Sequence, residues 1–120
     1  MHGLGTDIVT ISRIAHWVND EAIIDYVFTE NEKLSALNKK HPHKYLAAFF
    51  AAKEAFLKAA GIGWGSGVEW KDIEVVIKNG TLSINLYNRA KELCYGKRVF
   101  VSTSSAGDSV IAMAVIADKK

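Results

Sequence analysis

The stretch from Pro42 to Ala60, Pro-His-Lys-Tyr-Leu-Ala-Ala-Phe-Phe-Ala-Ala-Lys-Glu-Ala-Phe-Leu-Lys-Ala-Ala, is the strongest structural signal in the chain. From His43 to Ala60 it is rich in good helix formers, and Pro42 suits the first turn. Gly61 stops it. Apolar residues occupy almost the whole circumference, so the spacing predicts one long helix at the centre of the domain. Lys53, Glu54 and Lys58 are the charges that interrupt it.

Working toward the N-terminus, Thr29-Glu30-Asn31-Glu32 reads as a capping box that opens a helix running to about Leu37. Asn19 or Asp20 can cap another short helix through Tyr26, and Ile11, Ile14, Ala15 and Val18 mark one more over 11–18. Residues 1–9 read as an opening strand with a polar Asp7 near its end. Working toward the C-terminus, glycines at 61, 63, 65 and 67 precede two strands, Ile73–Ile77 and Thr81–Leu86, joined by Asn79-Gly80, a strong hairpin signal. A helix over 87–95 ends at Gly96, and Arg98–Ser104 and Ser109–Ala117 form a second hairpin about Ala106-Gly107-Asp108. The order β-α-α-α-α-β-β-α-β-β predicts one α+β domain over 1–120: a small, mostly antiparallel sheet, one long central helix and several short helices.

Length and charge narrow the function. A chain of 120 residues excludes a two-domain enzyme with its own cofactor domain, and also a (β/α)8 barrel. The net charge of +2 argues against a protein that coats a polyanion, so no nucleic-acid partner is expected. That charge is unevenly spread. Residues 1–40 hold four basic and six acidic side chains, and residues 41–120 hold eleven and seven, so an anion site should draw its cations from the later part. The lone Cys94 excludes an internal disulfide and a cysteine-based zinc site. No apolar run approaches the roughly 18 residues of a membrane span, and the N-terminus is too short and polar for a signal peptide, so a cytoplasmic protein is expected.

Three features could carry chemistry. Glu54 and Lys58 project from one face of the long helix, either as an ordinary i,i+4 ion pair or as partners for a metal or phosphate. Asp7 is either a turn acid or a ligand for a hard cation; with Glu54 it would suit Mg²⁺, which takes one or two protein carboxylates beside substrate phosphates and water. The glycine-rich run after Lys58 is either a helix stop with a flexible connection or a phosphate-approaching loop; it follows a helix, so it is no Walker loop. The four histidines fit no metal spacing, and Ser102, Ser104 and Ser105 have no neighbouring histidine that would suggest a triad.

Together these pieces resemble the holo-acyl-carrier-protein synthases, the small 4′-phosphopantetheinyl transferases. Gly3-Leu4-Gly5-Thr6-Asp7-Ile8-Val9 is similar to that family's opening motif, and Phe28-Thr29-x-x-Glu32 to its F-T-x-x-E. The run Phe50-Ala51-Ala52-Lys53-Glu54-Ala55-Phe56-Leu57-Lys58-Ala59 is similar to F-A-A-K-E-A-F-x-K-A, the most specific element. The glycines of 61–65, Asp72-Ile73-Glu74-Val75 and Asn79-Gly80 follow at family spacing.

The resemblance implies the 4′-phosphopantetheinyl transferase fold, a relative of the ferredoxin-like folds. It implies transfer of 4′-phosphopantetheine from coenzyme A to a serine of an acyl carrier protein, releasing adenosine 3′,5′-bisphosphate. By the same resemblance Asp7 and Glu54 hold Mg²⁺ against the pyrophosphate, Lys58 contacts phosphate, and Lys53 assists. Gly61 and Gly63 lie along the nucleotide with Ser102 and Ser104, and Arg13 faces an acidic carrier-protein helix. It also implies a homotrimer with active sites between subunits. No histidine belongs to the motifs, so a metal-bound water or a carboxylate serves as base. Three departures stand out: Ser105 replaces a family His, Phe49 replaces a family Arg, and Asp20, Glu21 and Asp25 stand where basic residues are usual. Lys44 or Lys97 could substitute for the lost cations. The first two departures motivate an alternative, a binder of coenzyme A or carrier protein that does not transfer. A purely structural interaction domain is the remaining alternative.

Overall fold

The computed structural model describes residues 3–63 and 65–119. The chain runs β1 (Gly3–Thr10), α1 (Ile11–Trp17), α2 (Glu21–Val27), α3 (Glu30–Leu37), α4 (Pro42–Ala60), a single 3-10 turn (Trp70–Asp72), β2 (Ile73–Lys78), β3 (Thr81–Leu86), α5 (Asn88–Leu93), β4 (Lys97–Ala106) and β5 (Ser109–Asp118). The α+β class and the element order agree with the sequence reading. The single sheet does not: the strands form two antiparallel sheets, β1-β5-β4 and β2-β3. The 3-10 turn was not foreseen, and Trp64 of the glycine-rich run and the terminal residues 1, 2 and 120 lie outside the described part.

Helix α4 is the axis of the fold. Val9 of β1 and Val110, Ala112, Ala114 and Ile116 of β5 are buried under it. Strand β1 approaches α4 so closely that glycine is obligatory there. A Cβ on Gly5 would stand 2.1 Å from the carbonyl oxygen of Ala55, and one on Gly3 1.9 Å from that of Ala59. Because side chains alternate along a strand, the parity that turns Gly5 and Val9 toward α4 turns Asp7 there too. The helix itself stops where Gly61 enters the left-handed region (φ 69°).

The opposite face of the three-stranded sheet is uncovered and apolar. Leu4 and Ile8 are each 64 % exposed, and Phe100, Ile111, Met113 and Val115 join them. The capping box predicted at Thr29–Glu32 forms as read: Thr29 Oγ1 accepts from the Glu32 amide and Glu32 Oε1 from the Thr29 amide. The Asn79-Gly80 hairpin also forms, with both residues at positive φ (52° and 76°). At the other hairpin Asp108 accepts from the amide and hydroxyl of Ser12, and its carbonyl accepts from the Ile11 amide. This satisfies the open end of α1, which has no side-chain cap of its own, and fixes the helix that carries Arg13.

Candidate active site

Asp7 and Lys58 meet across the β1–α4 contact. Lys58 Nζ donates to Asp7 Oδ1 at 2.8 Å and to the Thr6 carbonyl at 3.2 Å. Lys58 therefore pairs with the strand carboxylate rather than forming the simple helix pair with Glu54 that i,i+4 spacing allows. Its side chain remains 56 % exposed while that of Asp7 is 11 % exposed. Glu54 lies one turn earlier, within hydrogen-bonding reach of Asp7. Partial burial and then the adjacent Asp7 push its carboxyl up to about 7, against a weaker downward pull from Arg13 and Lys58. A cation placed between two carboxyls so arranged would satisfy both. The donors are hard oxygens on an open surface, which fits Mg²⁺ held with substrate oxygens and water. Among the described residues no cluster of three or more ligating side chains occurs, so any metal here takes part of its shell from outside the chain.

A cleft of about 250 Å³ opens from Glu54 and Lys58. Leu57, Ile62, Val68 and Ile73 make it apolar, and Tyr26 and Trp70 stand on its walls with Gly63, Ser66 and Glu69. Trp70 is held by Phe50, ring centroids 5.1 Å apart, and Phe50 packs in turn on Trp17 at 4.9 Å. The Arg13 guanidinium rests over the Trp17 and Phe50 rings at 5.3 and 5.7 Å, on the flank of α4 near Glu54.

Several expected contacts lie elsewhere. Lys53 does not face the cleft. It is fully buried, and its ammonium donates to Glu32 Oε1 at 2.7 Å, to the Val27 carbonyl at 2.6 Å and to the Trp70 carbonyl at 3.2 Å. One residue's step along a helix turns a side chain by about 100°, which separates Lys53 from Glu54. Ser102 and Ser104 belong to the uncovered face of the sheet, on the strand farthest from β1, so they do not reach the Asp7–Glu54 pair of their own chain. Gly61 is the left-handed stop of α4 and borders a neighbouring hollow, whereas Gly63 lines the cleft itself. Phe49 is wholly inside the core against Tyr45, not at a nucleotide surface. Lys97 pairs with Asp118 at the far end of β4 from Ser105, and so cannot replace a cation at that end. Tyr26, Trp70 and Glu69 were missed; only the fold brings 26 and 69–70 to one rim.

A model of the 4′-phosphopantetheinyl transferase superfamily matches residues 3–114. The holo-acyl-carrier-protein synthase of Geobacter sp. strain M21 is 38 % identical over 122 residues, covering 97 % of this chain and 98 % of the relative. The crystal structure of the corresponding synthase from Neisseria meningitidis superposes with a TM-score of 0.85 at 32 % identity, covering 97 % of this chain and 98 % of that one. The Bacillus anthracis synthase, solved in complex with coenzyme A (3′,5′-ADP), gives 0.80 at 29 % identity over 98 % and 96 %.

Proposed function

The chain belongs to the 4′-phosphopantetheinyl transferase superfamily, and within it to the holo-acyl-carrier-protein synthases, and on that premise we propose that its cleft carries out a Mg²⁺-dependent transfer. Coenzyme A donates 4′-phosphopantetheine to a serine of an apo-acyl carrier protein, and adenosine 3′,5′-bisphosphate leaves. The observation that carries this reading is the Asp7–Glu54 pair beside Lys58 at the head of an apolar cleft.

Asp7 and Glu54 would hold the metal. When bound, Mg²⁺ supplies charge neutralisation at the pyrophosphate and so stabilises the leaving bisphosphate. Lys58, half-exposed and anchored by Asp7, offers a second cation to the phosphate. The apolar wall of Leu57, Ile62 and Val68 takes the pantetheine arm and keeps water from the reacting phosphorus. The attacking serine must lose a proton, and with Glu54 given to the metal the base would be a water or another carboxylate. Positioning and charge neutralisation are what phosphoryl-type transfer asks of a protein.

Two further parts belong to the proposal. The uncovered face of Leu4, Ile8, Phe100, Ile111, Met113 and Val115 supports a homotrimer built on that face. Assembly would carry Ser102 and Ser104 toward a neighbour's cleft, which their own chain does not allow. Arg13, exposed beside Glu54 and stiffened by two rings, is the docking cation for the carrier protein. A cytoplasmic location follows from the two substrates.

Thermal shift tests the site. Coenzyme A with Mg²⁺ is expected to raise the melting temperature of the wild-type chain, by the equivalent of about 2.7 kcal/mol at a hundredfold excess over Kd. The Mg²⁺-dependent part should vanish in Glu54→Ala. An equal shift with and without Mg²⁺ in both proteins would assign the cleft to something other than a metal-assisted pyrophosphate site.

A further inference from the structure

The transfer reading makes no use of the most deeply buried charges in the molecule. Lys53 and Glu32 are both fully inaccessible. Each of their charged atoms has a hydrogen-bond partner. The three Lys53 protons go to Glu32, to the Val27 carbonyl and to the Trp70 carbonyl. Glu32 Oε1 also accepts from the Thr29 amide at 2.8 Å, and Oε2 from the Val75 amide at 2.7 Å. Among the described residues no buried side-chain polar atom lacks a partner.

The partners of this pair are the point. Val27 ends α2, directly after Tyr26, and Trp70 opens the 3-10 turn directly after Glu69. Tyr26, Glu69 and Trp70 all line the cleft, and Glu54 follows Lys53 on α4. One ammonium therefore ties both of these lining segments, through their backbone carbonyls, to the helix that carries Glu54 and Lys58. A backbone carbonyl held at 2.6 Å in a dry interior has little freedom to drift. Burial pushes Lys53 down and Glu32 up, yet attraction and hydrogen bonds oppose both shifts, and the bonds are those of a paired ammonium and carboxylate.

We propose that Lys53 and Glu32 are positioning residues: without touching either substrate, they set the distance from the Tyr26 and Trp70 walls to Glu54, and thereby the grip on the pantetheine-bearing substrate. This rests on the transferase reading for its consequence, but its structural half can be tested alone. Removing Lys53 by itself would strand a buried carboxylate, so the informative protein is the double variant Lys53→Met with Glu32→Gln. It removes both charges and keeps an amide oxygen as an acceptor for the backbone.

The double variant should melt cooperatively, and hydrogen exchange should rise at Tyr26–Phe28 and Glu69–Asp72 while β1, β5 and the middle of α4 stay protected. Its kcat/KM for coenzyme A should fall about 10²-fold, carried mainly by KM, as expected for a misplacement near 1 Å. The Mg²⁺ concentration giving half-maximal rate should not change, because Asp7 and Glu54 are untouched. A folded double variant with wild-type exchange and wild-type KM would overturn the proposal. So would exchange raised uniformly along the chain with kcat and KM unchanged, which would mark the pair as stabilising only. Should the wild-type chain not transfer at all, the transferase reading falls by itself, and local exchange still decides the positioning claim.

Discussion

Helix α4 holds two lysine–carboxylate pairs five residues apart, and they are opposites. Lys53–Glu32 is sealed: neither side chain is exposed, and every charged atom of the pair is hydrogen-bonded inside the protein. Lys58–Asp7 is open: the lysine is half in solvent, and a further carboxyl, Glu54, is left crowding the aspartate with its pKa driven to about 7. A sealed pair has nothing left to offer a ligand and can only hold structure. An open one with an excess carboxyl has an unmet electrostatic demand that a cation answers. The same residue types thus divide into architecture and chemistry according to whether their coordination is closed.

The division can be attacked by substitution. The largest effect should come from the open side. Asp7→Ala is expected to lower the transfer rate by about 10³-fold, the scale of losing a key electrostatic contact, in a protein with unchanged circular dichroism. Lys58→Ala should cost about 10²-fold in rate, with a smaller loss of melting temperature than the buried Lys53 gives, since half of this pair is in solvent. On the sealed side the order is reversed. Lys53→Met alone should lose roughly 3 kcal/mol of folding stability by leaving Glu32 buried and unpaired, measured by denaturant unfolding.

The smallest effect is a pH dependence confined to the open side. Glu54 binds a proton in the folded chain up to about pH 7, whereas unfolded it would release it near 4.5. Between those values the folded state holds more protons, so without metal its stability should decline as pH rises through that window. Metal needs the deprotonated pair, so Mg²⁺ affinity should climb as pH rises and level off above 7, with proton release on binding detectable by calorimetry in two buffers. Affinity flat from pH 5.5 to 8 would remove the crowded carboxyl from the metal site.

Much of this was legible in the residues, for physical reasons that differ by element. The capping box at Thr29–Glu32 and the Asn79-Gly80 turn are local rules, satisfied within four residues, and both formed. The long helix was carried by composition over 18 residues and came out one residue longer. Asp7 and Glu54 could be named as a pair because two short motifs suggested it, but their meeting depends on Gly3 and Gly5 letting β1 press onto α4. Lys53 was misread because it looks like Lys58 in sequence. Its partner Glu32 is 21 positions away, and what decides its role is helical phase and burial, which a string of letters conceals. That Ser102 and Ser104 face away from their own chain's cleft was hidden for a similar reason. Alternation shows that they share a face but not which face is covered. The split into two sheets was hidden because β3 and β4 are both edge strands, and no local rule tells whether two edges join by hydrogen bonds.

The claim at the centre is that the open pair is a catalytic metal site. Intact-mass spectrometry of an apo-acyl carrier protein, incubated with coenzyme A, Mg²⁺ and either the wild-type chain or Glu54→Ala, tests it most directly. The account predicts one added phosphopantetheine on the carrier with the wild-type chain, dependent on Mg²⁺, and none with a folded Glu54→Ala. No added mass with the wild-type chain on any carrier protein of the same organism, or equal modification by both proteins, would contradict it.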